Sequence, residues 1–245
     1  MYDFTDRTIA ISGAAGGIAR QVSEQMYAAG ANLVLGDLDT QALSAIRASL
    51  DPDGNRIATT ELDAASPESN DHFIAVAQRH FGGIDHLIVA AGIYPEQSVE
   101  LMTDQQWRTV MSINLDGAMY LTRAAIPVMR DGGSIVNLTS MAGHRGSRNH
   151  AHYAASKGGL LAFTRSLAWE LGGSIRVNAV SPGIIETPMT ADLVNSQNDH
   201  LIRSTPMGRF GRAAEVASVV GFLCSPAASF VHGEVIHVNG GLHMG

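Results

Sequence analysis

Thr8-Ile9-Ala10-Ile11-Ser12 runs directly into Gly13-Ala14-Ala15-Gly16-Gly17-Ile18-Ala19, and no other stretch narrows the fold so far. The apolar run predicts a buried strand. After the glycines a helical pattern begins, with Val22, Met26 and Ala29 on one face and Gly30 at its end. A strand, a glycine turn and a helix in that order let the backbone approach a pyrophosphate at a helix N-terminus, where unpaired N–H groups and the helix dipole favour negative charge. Gly13, Gly16, Gly17 and Ile18 are therefore candidate dinucleotide contacts.

Asn32 to Asp37 predicts a second strand, and its terminal acid falls about twenty residues beyond the glycine turn, where a carboxylate accepts hydrogen bonds from the adenine ribose. A negative charge there repels a 2′-phosphate, and the turn carries no Arg or Lys to attract one. NAD is expected rather than NADP. Asp39 is the better candidate for capping the next helix.

The alternation continues. Helices are expected over Gln41–Leu50, Glu68–Phe81 and Thr103–Pro127, the last with Asn114 in its interior, where an amide competes for backbone bonds. Strands are expected over Arg56–Leu62, His86–Gly92, Gly133–Ser140 and Ile175–Gly183, with a final helix over Ala213–Leu223 and a strand at Val235–Val238. Asp63, at a strand end, is either an adenine contact or a helix cap. Small Ala91 and Gly92 let a flat ring lie against the backbone. The pattern predicts an α/β fold: one domain with a Rossmann-like, doubly wound parallel sheet of about seven strands.

Ser140 stands at the C-terminal end of its strand, the ligand-binding end of such sheets. Downstream, Tyr153 and Lys157 are one turn apart on a helix whose Leu160, Thr164, Leu167 and Leu171 form a stripe. A nearby ammonium favours phenolate, so Lys157 is expected to lower the Tyr153 pKa and fit it for proton exchange with an alcohol or carbonyl oxygen. His144, His150 and His152 lie in the intervening loop, but no acid or Cys completes a ligand set, and no metal is expected. From Ile184 to about Phe210 periodicity is lost among prolines, glycines and methionines, which suggests a lid over the substrate. Tyr94, Met141, His144, His150, Ile184, Glu186 and Met189 are candidate substrate contacts, and the His and Glu among them lean towards a polyol, sugar or hydroxy compound.

A net charge of −7 argues against nucleic acid or an anionic membrane as partner. The single cysteine, Cys224, allows no intrachain disulfide, and no leader or membrane-length apolar run is visible, so a cytoplasmic location is expected.

Taken together, the glycine turn Ser12–Ile18, Asn114, Ser140, the Tyr153–Lys157 motif, Ile175–Gly183 and the closing Asn239-Gly240-Gly241 resemble the short-chain dehydrogenase/reductase family, from about Thr8 to Gly241. The resemblance implies Tyr153 as general acid/base, Lys157 on the nicotinamide ribose, Ser140 on the substrate oxygen and Asn114 positioning a water. It further implies Pro182, Gly183 and Thr187 beside the nicotinamide, with Thr187 anchoring its carboxamide, and a homotetramer. Two positions depart from the family pattern: Ala19 replaces a glycine, and Val89-Ala90 replaces a pair of asparagines that brace the adenosine side. Two alternatives accompany an NAD-dependent secondary-alcohol dehydrogenase. One is a β-ketoacyl carrier-protein reductase, which in this family generally uses NADPH; the other is a catalytically silent NAD-binding protein.

Overall fold

The computed structural model describes residues 2–244, and the side chains of 192–198 lie outside that description. Strand β1 (Thr8–Ser12) leads into helix α1 (Gly17–Ala28), β2 (Asn32–Asp37) into α2 (Thr40–Leu50), and β3 (Ile57–Glu61) into α3 (Pro67–Phe81). β4 (Ile84–Val89) precedes α4 (Asp104–Met111) and α5 (Gly117–Ala125), and β5 (Met129–Leu138) precedes α6 (Ala142–Arg145) and α7 (Ala151–Leu171). β6 (Arg176–Pro182), β7 (Ile185–Glu186), α8 (Ala191–Ser204), β8 (Gly211–Arg212), α9 (Ala213–Cys224) and β9 (Val235–Val238) complete the chain.

Seven strands pair in parallel in the order β3-β2-β1-β4-β5-β6-β9. Successive strand residues point to opposite faces, and both faces are covered, which is why the strands are apolar almost throughout. Ile9, Ile11, Leu33, Leu35 and Val136 pack on one side with Val22 and Met26 of α1 and Val216, Val220 and Leu223 of α9. Ala10, Val34, Leu87, Ile135 and Val177 face the other side, against Phe73 of α3, Leu121 of α5 and Leu160 and Leu167 of α7. The strand order reverses between β1 and β4, so a crevice opens at their C-terminal ends.

The opposite end of the sheet is fastened by buried Asp85, which accepts from the Thr8 N–H at 2.8 Å, Arg7 at 2.9 Å and Arg130 at 2.6 Å. Burial works against its ionisation, but these donors outweigh it and hold the carboxyl below its ordinary pKa.

Several expected boundaries change. The strands expected to reach Gly92 and Ser140 leave the sheet at Val89 and Leu138, so that Ala90, Gly92, Thr139 and Ser140 border the crevice instead. The single helix expected over Thr103–Pro127 is a helical path interrupted by a π-turn at Ser112–Asp116 and tightened to 3₁₀ at Ile126–Val128. Asn114 lies buried inside that π-turn, its amide bonded to the backbone of Ile93. The 184–210 segment, expected to lack regular structure, contains α8, and its base is closed by the parallel pair β7–β8. Arg209 reinforces the base by forking onto Glu215 at 2.9 and 2.6 Å. Among the described residues no helix is long and apolar enough to cross a membrane.

Candidate active site

The glycine turn is shaped by what lies beside it. Gly13 has φ +66°, and a Cβ there would stand 2.7 Å from the Cα of Ala91 and 2.8 Å from its nitrogen. Only glycine combines that backbone angle with that approach. Ser12 Oγ accepts the N–H groups of Ala90 (3.1 Å) and Ala91 (3.3 Å), so a strand-end hydroxyl supplies bracing at the point where the family carries asparagines. Ala91 thus backs Gly13, while Ala90 and Gly92 line the crevice.

Gly16 is the N-cap of α1 and brings no side-chain acceptor to the N–H groups of the first turn, which leaves them for an anion. A Cβ on Gly17 would meet Thr187 Cγ2 at 2.9 Å, so the turn and the 184–210 segment touch across the crevice. The cavity between them measures about 220 Å³ and includes Gly13, Gly16, Gly17, Ile18, Lys157, Pro182, Gly183 and Thr187. A glycine-floored cleft at an uncapped helix N-terminus suits a dinucleotide. Thr187 also hydrogen-bonds Thr190 at 3.2 Å, in the short turn that opens α8.

Asp37 Oδ2 accepts from Ala15 N–H at 3.0 Å and Oδ1 from Asp39 N–H at 3.0 Å. The carboxylate therefore fixes the glycine turn and, with about four acceptor sites in all, retains capacity for ribose hydroxyls. Asp39 caps α2, accepting from Ala42 N–H at 2.9 Å. Neither Asp37 nor Asp63 lines the cavity, and Asp63 is engaged elsewhere. It accepts Ala65 N–H at 2.9 Å within its own turn, and Ser66 caps α3.

A second cavity of about 410 Å³ adjoins the first and shares Ser140, Tyr153, Gly183, Met189 and Thr190 with it. Tyr153 is edge-on to Tyr94, with ring centroids 4.6 Å apart, and Tyr94 stacks flat on His150 at 3.9 Å. Gly143 lets α6 lie against α7, since a Cβ there would reach within 2.7 Å of the Lys157 carbonyl carbon. Ser156 Oγ accepts from Asn114 Nδ2 at 3.2 Å and donates to the Tyr153 carbonyl at 2.8 Å, tying the π-turn to the tyrosine helix.

The electrostatics overturn one expectation. Lys157 Nζ is 5.8 Å from the centre of the Tyr153 ring and donates to the Leu138 carbonyl at 2.8 Å. Burial pushes the Tyr153 phenol up to about 12; Ser140 pulls it down, and Tyr94 adds a further push upwards. Lys157 is itself buried, and desolvation brings it down to about 8. Burial is the largest influence on both groups, pushing the phenol up and the ammonium down.

The structure brings Tyr94, Ser140, Met141, Ile184 and Met189 to the second cavity, as expected. His144, His150 and Glu186 do not line it. His150 stands behind Tyr94 with its Nδ1 on the Arg148 carbonyl at 2.7 Å. Glu186 is exposed on β7, and His144 turns away towards His237 and His243. The His and Glu side chains on which the lean towards sugars and polyols rested are therefore not on the chamber wall. Arg145, Ser147, Arg148 and Thr190 are lining residues that sequence reasoning missed. The Arg-Gly-Ser-Arg run itself was the available signal.

A family model described as Enoyl-(Acyl carrier protein) reductase matches residues 13–243. The chain is 36% identical to Nodulation protein G of Rhizobium sp. (strain N33), over 100% of both chains. It is 34% identical to 3-oxoacyl-[acyl-carrier-protein] reductase FabG of Escherichia coli (strain K12), over 99% of each. A solved Brucella melitensis structure described as a short-chain dehydrogenase/reductase, glucose/ribitol dehydrogenase, superposes with a TM-score of 0.97 at 48% identity, covering 100% of this chain and 99% of that one.

Proposed function

Because the chain belongs to the short-chain dehydrogenase/reductase family, we propose that this oxidoreductase interconverts a secondary alcohol and its ketone with NAD(H), using Tyr153 as general acid/base. The wall shared by the two cavities carries the proposal: Ser140 and Tyr153 are on it, between the glycine-floored cleft and the outer chamber. The nicotinamide cofactor supplies or accepts the hydride when bound. Ser140 and Tyr153 hydrogen-bond the reacting oxygen, and Tyr153 returns or removes its proton. Lys157, held by the Leu138 carbonyl on the wall of the cleft, would hold the nicotinamide ribose, and Asn114 fixes the Ile93 backbone with its amide. Asp37 favours NAD over NADP by charge. The 184–210 segment acts as a lid on the base formed by β7 and β8.

Arg145 and Arg148 on the outer chamber favour a reactant with an anionic group beyond the carbinol carbon. They also favour a second reading, reduction of a 3-oxoacyl group on a phosphate-bearing carrier, in keeping with the name of the Escherichia coli relative. The homotetramer belongs to the same proposal, and Trp169 on α7 (92% exposed) and Phe230 (102% exposed) are the aromatic surface it would cover.

The test is a cofactor-by-substrate panel: NAD(H) and NADP(H) against neutral polyols, hydroxy and keto acids, and 3-oxoacyl thioesters. Activity with an anionic reactant and NAD(H), reduced about 10²–10⁴-fold in Tyr153→Phe with cofactor binding intact, is expected. Tight NAD binding with no turnover of any alcohol or ketone would revive the silent alternative. A clear preference for NADPH and thioesters would establish the carrier reductase.

A further inference from the structure

Three imidazoles that have no part in the proton chemistry converge behind the outer chamber. His144 comes from α6, His237 from β9, and His243 from the turn after Asn239-Gly240-Gly241. Their ring centroids are 4.6, 5.1 and 5.1 Å apart, and one nitrogen from each lies within 4.8 Å of the other two. His144 Nε2 and His237 Nδ1 are buried without any hydrogen-bond partner among the described residues. A buried ring nitrogen left bare is costly, and two in one cluster are hard to explain by packing alone.

We propose that His144, His237 and His243 form a binding site for a divalent transition-metal cation of the zinc type. The donor set selects the ion class: imidazole suits zinc, copper, nickel and cobalt, whereas magnesium and calcium require oxygen ligands, and none of the three side chains offers one. Two nitrogens sharing a tetrahedral zinc at about 2.0–2.1 Å stand about 3.3 Å apart, so the widest pair has to close by at most about 1.5 Å. All three residues are only partly buried, and rotation of their side chains can supply that movement. Asn239 steadies the third ligand, donating to the His243 carbonyl at 2.8 Å and accepting from Gly241 N–H at 2.9 Å.

An ion here would tie the C-terminal turn to α6, the helix that carries Arg145 into the outer chamber. It would be a structural clasp: no redox step is involved, and the ion exchanges water ligands for imidazoles. Nothing in it depends on which alcohol or cofactor the enzyme uses.

The experiment uses full-length, chelator-stripped protein with no histidine tag. Zinc is titrated calorimetrically into the wild type, His243→Ala and His237→Gln, with magnesium as the control ion, and thermal midpoints are read with and without each ion. Cobalt(II) serves as a spectroscopic probe of a low-coordinate site. One zinc per chain, a midpoint raised by zinc and not by magnesium, and loss of both effects in each variant are expected. His243→Ala lies near the chain end and is only partly buried, so its unliganded midpoint and circular dichroism serve as the check on folding. No zinc uptake by the wild type, or equal uptake by both folded variants, overturns the proposal. These readouts do not use turnover, so they stand or fall separately from the dehydrogenase assignment.

Discussion

Replacing Gly13 by alanine tests whether the crevice is shaped by backbone approach, and Gly82→Ala supplies the control. Both glycines have φ near +70°, at +66° and +70°, so an added Cβ strains both backbones by about 1–2 kcal/mol. At Gly82 the nearest atom to that Cβ is the end of the Arg130 side chain, 3.8 Å away, an ordinary contact. At Gly13 it is the backbone of Ala91, at 2.7 and 2.8 Å, which has no rotamer by which to yield. Overpacking of this kind adds about 1–3 kcal/mol. Gly82→Ala should therefore cost about 1–2 kcal/mol, and Gly13→Ala about 2–5 kcal/mol in total. Displacing Ala90 and Ala91 also disturbs their bonds to Ser12 and the wall of the cofactor cleft, so NAD affinity should fall in Gly13→Ala alone. Urea unfolding at one fixed protein concentration, together with NAD titration followed by fluorescence, measures both effects. If the two variants unfold alike and bind NAD alike, the close approach is not what requires glycine at position 13.

Two further outcomes follow from the charges in the site. Lys157 has a folded pKa of about 8 against an ordinary 10.5, so between those values the unfolded chain binds more protons and stability should rise with pH. Urea unfolding at pH 7.5 and pH 9.5 (about half a unit below and well above the folded value) should show that gain in the wild type relative to Lys157→Met; an equal pH response in both would refute it. Asp37→Asn retains an acceptor for Ala15 N–H while removing the charge, and should shift the NAD-over-NADP affinity ratio by about tenfold towards NADP, about 1.4 kcal/mol. An unchanged ratio by calorimetry would take Asp37 out of cofactor selection.

The sheet is legible in the sequence because its strands are buried on both faces, and runs such as Ile9 to Ile11 and Leu33 to Leu35 advertise that directly. The glycine turn is legible for a related reason: close backbone approach tolerates few residues. Asn114 is readable only as an anomaly within a helical pattern; the π-turn around it and its bonds to the Ile93 backbone are not revealed by sequence spacing. Helix α8 escapes notice because its apolar pairs, Leu193-Val194 and Leu201-Ile202, are too sparse to make a stripe. Spacing alone misjudges the Tyr153 pKa, because i and i+4 positions give the proximity of Lys157 but not the desolvation both groups suffer. The convergence of His144 with His237 and His243 is a product of folding, since the strand and the C-terminal turn that bring the last two lie far along the chain.

Gly183, Met189 and Thr190 belong at once to the cleft and to the outer chamber. Any displacement of that stretch by an occupant on one side alters the space offered on the other. Thermodynamic linkage makes the effect mutual: whatever factor the first occupant applies to the affinity of the second is returned unchanged. A partition shared in this way would also be a channel through which two occupants could sense each other.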